Sequence, residues 1–465
     1  MGASRLYANM VLIFEVLVIS ILSAGFSIYV LKIIEKPFIM ITGTDVFLPM
    51  DRNGLLLILL SFAIIIGFVS AFLCFCFFPG GKHIVSDLSG KNKPIANKLL
   101  IKILSGIQIS GAIIFLGCIL MINKQLDYIR NFDTGYNGDN ILKIKILDRS
   151  FNRHDALKSS LLSDKNISRV SFSYSEMMAN NIRWTFEIDG REGELYVDYI
   201  DESFIDIFGL GIIEGRNFIG EQDRGKIIIN NTARQRYFGY YPVGSRIDCL
   251  QVGFDLVGVI DDVNFQSLYN KLAPMALVYR TDRTRFCIIE LSGNDLPSEI
   301  DHIEKVWNVF FNNYPFEYSF QDDIIQKNYS TERELGSLME VLALISIVIA
   351  ILGVYNLSSS VIRGKRLELG IRNIYGASRQ QLISKLSYDI NEVFFLALVP
   401  SLTITYLVMI SWLSTFSYHI DFSVLTIIFS AFLVWVVVNI SVTVHVFRAA
   451  STNPVVVLSE SQFDV

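Results

Sequence analysis

The chain has 465 residues, of which 52% are apolar and only 18% are charged, whereas about 25% are charged in ordinary soluble proteins. A formal net charge of −5 excludes the strongly basic surface of a nucleic-acid-binding protein, and five cysteines are too few for a disulfide-stapled scaffold of this length. Together with a mean hydropathy of +0.44, these values predict an integral membrane protein.

Six runs are long enough to cross a bilayer, which takes about 20 apolar residues. The first run, between Arg5 and Lys32, is interrupted only by Glu15. The other five contain no Asp, Glu, Lys or Arg and lie between residues 52 and 82, 102 and 124, 340 and 363, 392 and 421, and 421 and 448. The predicted spans lie at about residues 8–33, 54–78, 100–123, 336–362, 389–412 and 423–447.

Basic residues predict which loops face the cytoplasm, because Lys and Arg accumulate on that side of a membrane. Five lysines lie between residues 79 and 102, and six Lys or Arg lie between residues 363 and 385. We therefore expect residues 80–99 to be a cytoplasmic basic linker, and residues 363–386 and the tail 448–465 to be cytoplasmic as well. An even number of spans places both termini on this side.

The longest hydrophilic stretch, residues 124–335, is predicted to lie outside the cell membrane. Residues 124–334 carry 24 Lys plus Arg and 33 Asp plus Glu, with short runs of β-branched and aromatic residues. Asp189 and Gly190 supply a turn between two of these runs. The length suits an α+β domain with a core of its own. The predicted strands are residues 141–147, 170–174, 184–188, 195–199, 226–229, 255–260, 275–279 and 286–291.

One amphipathic helix is predicted near the end of this region. Apolar residues recur there three or four positions apart, and Ser298 and Pro315 are the predicted N-cap and stop signal. The apolar face consists of Ile300, Ile303, Val306, Trp307, Phe310 and Phe311.

A short repeat links the two ends of the chain. Residues 1–5 read Met-Gly-Ala-Ser-Arg, residues 375–379 read Tyr-Gly-Ala-Ser-Arg, and a predicted span follows each copy. Glu15 and Asp389 then occupy equivalent positions early in the two spans. The repeat therefore predicts an internal duplication.

Several segments resemble one family of membrane proteins. Residues 363–379 read Arg-Gly-Lys-Arg-Leu-Glu-Leu-Gly-Ile-Arg-Asn-Ile-Tyr-Gly-Ala-Ser-Arg, and residues 448–455 read Arg-Ala-Ala-Ser-Thr-Asn-Pro-Val. The outer region contains Phe-Gly at 208–209, Glu-Gly-Arg-Asn-Phe at 214–218 and Gly-Val-Ile-Asp-Asp-Val-Asn-Phe at 258–265. These segments resemble the corresponding parts of MacB/FtsX-like ABC transporter permeases.

The resemblance implies a polytopic α-helical protein of six spans with one large α+β extracytoplasmic domain of the MacB periplasmic-domain type, in a bacterial inner membrane. Residues 363–386 would form a coupling helix that docks on an ABC-type ATPase subunit. On physical grounds alone, this basic segment also suits an interfacial helix that contacts anionic membrane lipids. The residues implied in ATPase coupling are Arg363, Arg366, Glu368, Gly370, Arg372, Gly376, Ala377, Ser378 and Arg379.

The resemblance also implies how the chain is organised. Residues 98–465 resemble one complete four-span permease unit, and residues 1–79 resemble the last two spans of a preceding unit. The chain is therefore expected to be a duplicated permease that lacks its N-terminal part. Since ABC machines use two ATPases, a second permease unit is an expected partner, supplied by a homodimer, a heterodimer or the missing first half.

The sequence contains no recognisable catalytic, cofactor-binding or metal-binding motif. It has no Gly-x4-Gly-Lys-Ser/Thr, so the ATPase is expected to be a separate chain and this chain is not expected to be an enzyme. The five histidines show no metal-ligand spacing. Cys249 and Cys287 both lie in the outer region, which leaves a disulfide open.

Three carboxylates lie near the starts of predicted spans: Glu15, Asp389 and Glu392. Acids within a membrane are costly and often belong to ion or proton relays. Acids at helix N-termini, however, are favoured by the helix dipole. We interpret these three as interfacial residues.

The predicted function is that of an ABC transporter permease. Such a subunit couples ATP hydrolysis by a separate chain to motion of its extracytoplasmic domain, for export or efflux across the cell envelope. The alternative is an FtsX-like signalling or regulatory protein, which acts on envelope enzymes or senses an extracellular ligand. No local motif in residues 124–334 identifies a substrate.

Overall fold

The computed structural model describes residues 95–450, except 149, 178–181, 189–190, 240, 250–251, 294, 322, 324–327 and 375–378, together with parts of 10–29 and 54–72. The chain divides into two compact units. The helical unit comprises Met1–Lys124, Glu332–Ser411 and Asp421–Val465, and the sheet domain comprises Gln125–Thr331 and Trp412–Ile420. The first copy of the predicted repeat and most of the second lie outside the described residues.

Helices and strands are numbered in chain order. The helices are α1 (Phe14–Ser27), α2 (61–69), α3 (Ile95–Arg130), α4 (His154–Leu161), α5 (Phe204–Ile207), α6 (Asn231–Arg236), α7 (Leu296–Phe310), α8 (Ser330–Ile374), α9 (Arg379–Leu413) and α10 (Val424–Ala450). The strands are β1 (Ile141–Lys145), β2 (Ile167–Ser173), β3 (Arg183–Ile188), β4 (Arg191–Ile200), β5 (Ile212–Gly215), β6 (Ile227–Asn230), β7 (Arg246–Cys249), β8 (Val252–Ile260), β9 (Met275–Tyr279), β10 (Phe286–Leu291) and β11 (Tyr318–Phe320).

Among the described residues, four helices are long and apolar enough to cross a membrane. They are Leu99–Arg130, Ser330–Ile362, Ser387–Leu413 and Val424–His445. α1 is apolar but shorter, and the predicted spans at 8–33 and 54–78 are described only in part. The prediction of six spans is therefore not confirmed.

The four long helices of the helical unit share one apolar core. Each helix contributes residues three or four positions apart, which places them on one face. Side chains on other faces are apolar and exposed, such as Leu352, Leu396 and Leu425, as expected for helices surrounded by lipid. The core includes Ile109, Ala112 and Ile113 of α3, Ala350, Val354 and Leu357 of α8, Val393, Phe394 and Ala397 of α9, and Ala431, Val434 and Val438 of α10.

Small and polar residues bring these helices together. A Cβ atom on Gly117 would lie 2.9 Å from the Thr405 methyl group, so this glycine allows α3 and α9 to approach closely. Glu392 forms an ion pair with Lys102 at 2.7 Å. Asn391 accepts a hydrogen bond from the Trp435 indole at 3.0 Å. One of the three carboxylates singled out in the sequence thus has a cationic partner on a neighbouring helix.

The sheet domain is built on one mixed sheet, which has eleven strands within the described part of the chain. The strand order is β11-β1-β10-β2-β4-β9-β6-β8-β5, with β3 paired to β4 and β7 paired to β8. β4 and β9 are parallel, as are β6 and β8, and the remaining pairs are antiparallel.

Both faces of this sheet are covered, because side chains alternate between faces along a strand. On β9, Met275 and Leu277 belong to one apolar core, and Ala276 and Val278 belong to the core on the opposite face. A third cluster, which contains Trp307, joins α4 and α7 to β1, β2 and β10. Apolar cores therefore pack against both faces of the sheet.

The eight predicted strands are confirmed as β1–β4, β6 and β8–β10. The predicted hairpin is also confirmed, because Ile188 of β3 pairs with Arg191 of β4; its turn residues, Asp189 and Gly190, lie outside the described residues. The sequence did not predict β5, β7 or β11. Cys287 is a buried free thiol on β10, so the disulfide with Cys249 is not formed.

The predicted amphipathic helix is α7, and its N-cap differs from the prediction. The N-cap residue is Asp295, and a proline lies in the first turn, where a missing N–H requires no partner. Ser298 lies inside the helix, so its assignment as N-cap is wrong. Ile303 and Trp307 of the predicted apolar face are buried.

Candidate functional site

The predicted coupling segment lies at the end of the longest helix described. At about 1.5 Å per residue, the 45 residues of α8 extend about 68 Å, roughly twice the ~30 Å of a hydrocarbon core. The helix therefore continues well past its span-capable part, which ends at Ile362. This extension contains Arg363, Arg366, Glu368, Gly370 and Arg372.

Residues 363–386, which the sequence predicts to form a coupling helix, include the described end of α8 and the described start of α9. α8 ends at Ile374 and α9 begins at Arg379. Gly376, Ala377 and Ser378 lie outside the described residues. Glu368 and Arg372 are four residues apart on α8, which places them one helical turn from each other.

Two of the family-like segments in the sheet domain are neighbouring strands. β5, which contains Glu214 and Gly215, pairs antiparallel with β8, and Gly215 lies opposite Gly258. Gly215 has φ of +82°, and a Cβ atom there would meet the Val257 carbonyl oxygen and lie 2.8 Å from the Gly258 Cα. Only glycine fits such a close approach of two backbones. The two segments are thus parts of one structural feature.

A buried carboxylate anchors the loop after β5. The Asp223 side chain is 1% exposed and accepts two hydrogen bonds from Arg216, at 2.6 and 3.0 Å. Lys226 and the Ile219 N–H also donate to it, at 2.7 and 2.9 Å. The hydrogen bonds from Arg216 hold the pKa of Asp223 well below its usual range. This network fixes the Arg-Asn-Phe part of the family-like segment.

A second polar cluster ties α4 to the residues that follow β4. The Lys158 ammonium lies 3.0 Å from Asp201, 2.7 Å from Glu202 and 2.8 Å from the Ser203 hydroxyl, and Ser171 donates a hydrogen bond to Asp201. Burial raises the pKa of Asp201 to about 6, and Lys158 opposes this rise. The cluster holds a helix against the sheet.

A third group of buried charges lies in the domain interior. Lys143 of β1 is 2% exposed, and its Nζ has no hydrogen-bond partner among the described residues. Burial lowers the pKa of Lys143 to about 8, although the Glu176 and Asp198 carboxylates oppose this change. Burial likewise raises the pKa of Asp198 to about 8, against a hydrogen bond from the Ser175 N–H. Burial thus disfavours the charged forms of both Lys143 and Asp198.

None of these clusters has the composition of a metal centre. Within the described ranges, no group of three or more His, Cys, Asp or Glu side chains could hold a metal ion. The Lys158 and Asp223 clusters instead consist of paired charges that connect neighbouring elements of the sheet domain.

A set of buried residues near the ends of α3 and α9 was not predicted from the sequence. Gln125, Leu268, Tyr329 and Phe416 are buried together, although they are far apart in the sequence. A cavity of about 260 Å³ opens beside them, lined by Ile129, Phe132, Tyr136, Leu268 and Tyr329 together with polar residues of 130–139. The only sequence signal is the density of aromatic residues in the short loop after α9.

Two family descriptions match the chain. The FtsX-like permease C-terminal description matches residues 340–454. The MacB-like periplasmic core domain description matches residues 57–300, slightly more than half of the chain. The chain belongs to the MacB/FtsX-like ABC transporter permease family. Membership confirms the resemblance seen in residues 363–379, and it identifies a membrane protein whose sheet domain is a MacB-like extracytoplasmic domain.

Several individual proteins are similar to this family member. It is 25% identical over 204 residues to the pyoverdine export ATP-binding/permease protein PvdT of Pseudomonas savastanoi pv. phaseolicola, a match that covers 40% of this chain and 31% of that protein. The chain thus spans about a third of the curated relative that it matches.

Solved extracytoplasmic domains are also similar. The periplasmic region of MacB from Actinobacillus actinomycetemcomitans has 14% identity and a TM-score of 0.33, over 43% of this chain and 97% of that one. The extracellular domain of the noncanonic ABC-type transporter YknZ from Gram-positive bacteria has 13% identity and a TM-score of 0.31, over 39% of this chain and 99% of that one.

Proposed function

We propose that this family member is the permease subunit of an ABC transporter. It couples ATP hydrolysis by a separate ATPase chain to motion of its MacB-like domain, and this motion drives export or efflux across a bacterial cell envelope. The main support for this proposal is that α8 is continuous. The helix runs without a break from Ser330, directly after the sheet domain's Tyr329, to the basic segment that ends at Ile374.

A continuous helix suits this role because its hydrogen-bonded backbone transmits displacement along its axis. A shift of the 363–374 segment on binding an ATPase is carried to the start of α8 and to the domain attached there. Two such segments are needed for two ATPases, so the working assembly contains a second permease unit. Export is the proposed direction, since the relative PvdT is named for pyoverdine export.

Charge reversal in the coupling segment tests the proposal. The double variant Glu368→Lys, Arg372→Glu is expected to retain about tenfold less ATPase. The groups on the ATPase that the wild-type charges attract would be repelled by the reversed charges. The measurement is a pull-down from detergent of the permease with the ATPase encoded nearest to it. The amount of folded permease in the membrane is measured beside it and should not change.

The matched control reverses a charge in the sheet domain, far from the segment in sequence. Lys305→Glu changes a side chain that is 74% exposed, and it should leave ATPase binding intact. Equal ATPase capture by the double variant and the control would show that residues 363–379 serve as an interfacial helix instead.

Topology gives a separate test of the proposed inner-membrane arrangement. A reporter fused after Lys93 or after Val465 should report the cytoplasm, and one inserted at residues 294–295 should report the outside. The expectation follows from the basic residues on one side of the predicted spans. A cytoplasmic signal from the 294–295 insertion would contradict an extracytoplasmic sheet domain in this chain.

A further inference from the structure

The segment Trp412–Ile420, which leads from the end of α9 toward α10, belongs to the compact unit of the sheet domain. It contains three large aromatic residues, Trp412, Phe416 and Tyr418, and Phe416 is only 2% exposed. Most loops between helices run over the surface with their backbone in water. This loop is instead bound to residues 268–272 of the domain.

Ring stacking holds the loop on the domain. Phe416 stacks on Tyr269 with ring centroids 4.3 Å apart and an interplanar angle of 17°. The Tyr418 ring lies 5.1 Å from that of Phe132, just beyond α3. Trp412 also contacts Phe416, at 5.1 Å. Such aromatic pairs contribute more than their buried area alone.

Backbone hydrogen bonds join the same two segments. The Leu268 carbonyl accepts from the N–H groups of Ser417 and Tyr418, at 3.1 and 3.2 Å, and its own N–H donates to the Tyr329 hydroxyl at 2.7 Å. The Ser417 hydroxyl donates to the Tyr269 carbonyl at 2.8 Å. Because Leu268 is buried, breaking these bonds would leave polar groups without water. The loop and residues 268–269 therefore move together.

Gln125 of α3 also binds the loop, through its side-chain amide. Its side chain is fully buried. The amide nitrogen donates to the Tyr418 carbonyl at 3.1 Å, and the amide oxygen accepts from the Ile420 N–H at 2.9 Å. A single side chain thus satisfies an acceptor and a donor of the loop, which an apolar side chain could not do.

A short path leads from this cluster to the middle of the sheet. The Tyr418 hydroxyl accepts from the Leu272 N–H at 3.3 Å, and β9 begins three residues later, at Met275. Asn230 fixes this entry, with bonds to the Ala273 carbonyl at 3.0 Å and the Met275 N–H at 2.8 Å. β9 is buried along its whole length, between β4 and β6.

We propose that these residues, which we call the outer clamp, pass movement of the α9–α10 pair to strand β9. The inference rests on the proposed function and adds a route for motion that does not use α8. The pair is covalently continuous with the loop, and the loop is bound to the segment that enters the sheet. The outer clamp consists of Gln125, Leu268, Tyr269, Phe416, Ser417 and Tyr418.

The test uses the full chain and its ATPase in nanodiscs, with hydrogen–deuterium exchange measured in the nucleotide-free and vanadate-trapped ATP states. In the wild type, hydrogen exchange in β9 and in residues 268–272 should differ between the two states. Exchange in residues 363–374 of α8 should differ as well. Phe416→Ala and Gln125→Leu should abolish the difference at β9. The α8 response and ATP turnover should persist.

Two further variants separate coupling from folding. Tyr418→Phe keeps the ring and removes only the hydroxyl that accepts from Leu272, so its fold is retained and the difference at β9 should shrink. Phe422→Ala removes an aromatic residue from the same connection, but that ring packs on Tyr406 at 4.8 Å. This control should respond to nucleotide as the wild type does. In Gln125→Leu, the Ile420 amide loses its acceptor and should exchange about tenfold faster in both states.

Each outcome decides between the two proposals. A nucleotide response at β9 that survives in Phe416→Ala and Gln125→Leu overturns the clamp, even if basal exchange rises, and leaves the proposed function intact. If nucleotide changes exchange in α8 but not in β9 of the wild type, the clamp is likewise overturned and the proposed function stands. Failure of the wild type to bind the ATPase refutes the proposed function and the clamp with it.

Discussion

Replacing Asp223 by alanine is expected to destabilise the extracytoplasmic domain by about 3 kcal/mol, the lower end of the range for removing one partner of a buried ion pair. The carboxylate is 1% exposed and forms ion pairs with both Arg216 and Lys226. Those cations are 44% and 29% exposed, so water partly solvates them after the change. The measurement is thermal unfolding of the full chain, together with exchange protection of β5 and β6.

An exposed pair supplies the control for this prediction. Asp301 and Lys305 lie one turn apart on α7 and are 60% and 74% exposed. Asp301→Ala should therefore cost no more than about 0.5 kcal/mol. If the two alanine variants unfold at the same temperature, Asp223 does not anchor the loop after β5.

The same carboxylate gives the domain a predictable response to acid. Because the Arg216 hydrogen bonds hold the pKa of Asp223 below its usual range, the folded state binds fewer protons there than the unfolded state. Its contribution is complete above an ordinary aspartate pKa of about 3.9 and is lost as the pH falls below that value. The difference in unfolding temperature between wild type and Asp223→Ala should narrow below about pH 4.

Asp201 gives the domain the opposite dependence of stability on pH. Burial raises its pKa to about 6, so the folded state retains a proton that the unfolded state releases. This group therefore makes the domain less stable as the pH rises from about 4 to about 6. Asp223→Ala should not change that part of the pH profile, since Asp201 belongs to the separate Lys158 cluster.

The strands that the sequence predicts share a physical signal that the missed strands lack. β6 and β9 are buried throughout and consist mainly of apolar residues, so composition alone predicts them. All four residues of β5 are exposed, and the strand contains Glu214 and Gly215. β11 has only three residues. The order of the strands also depends on pairings between distant residues, such as Leu142 with Ile289, which no local pattern encodes.

The functional residues divide in the same way. Residues 363–379 stand out because they resemble a family segment, and α8 places five of the implied residues on one continuous helix. The outer clamp has no comparable sequence signature. Phe416 and Tyr418 lie beside a predicted span, where aromatic residues are common at the membrane surface. Only the folded chain shows that they contact Tyr269 and Phe132.

The largest expected effect comes from the glycine at which β5 and β8 meet. Gly215 adopts φ of +82°, and a Cβ atom there would meet the Val257 carbonyl oxygen and the Gly258 Cα. Both obstacles are backbone atoms of a paired strand, which cannot move aside without breaking the ladder. Gly215→Ala should therefore cost about 4 kcal/mol or more, from strain and steric overlap together.

Gly209 provides a control that isolates the steric part of this cost. It also has a left-handed backbone, with φ of +61°, but a Cβ atom there meets nothing within 4 Å. Gly209→Ala should thus cost only about 1–2 kcal/mol, the conformational penalty for an L-residue in this region. Both variants are compared by thermal unfolding and by the amount of permease in the membrane. Equal losses would mean that β5 does not approach β8 closely, and that Glu-Gly-Arg-Asn-Phe needs its glycine for the turn alone. A much larger loss at Gly215 would show that this glycine is needed for the packing of β5 on β8, which positions Arg216 to bind Asp223.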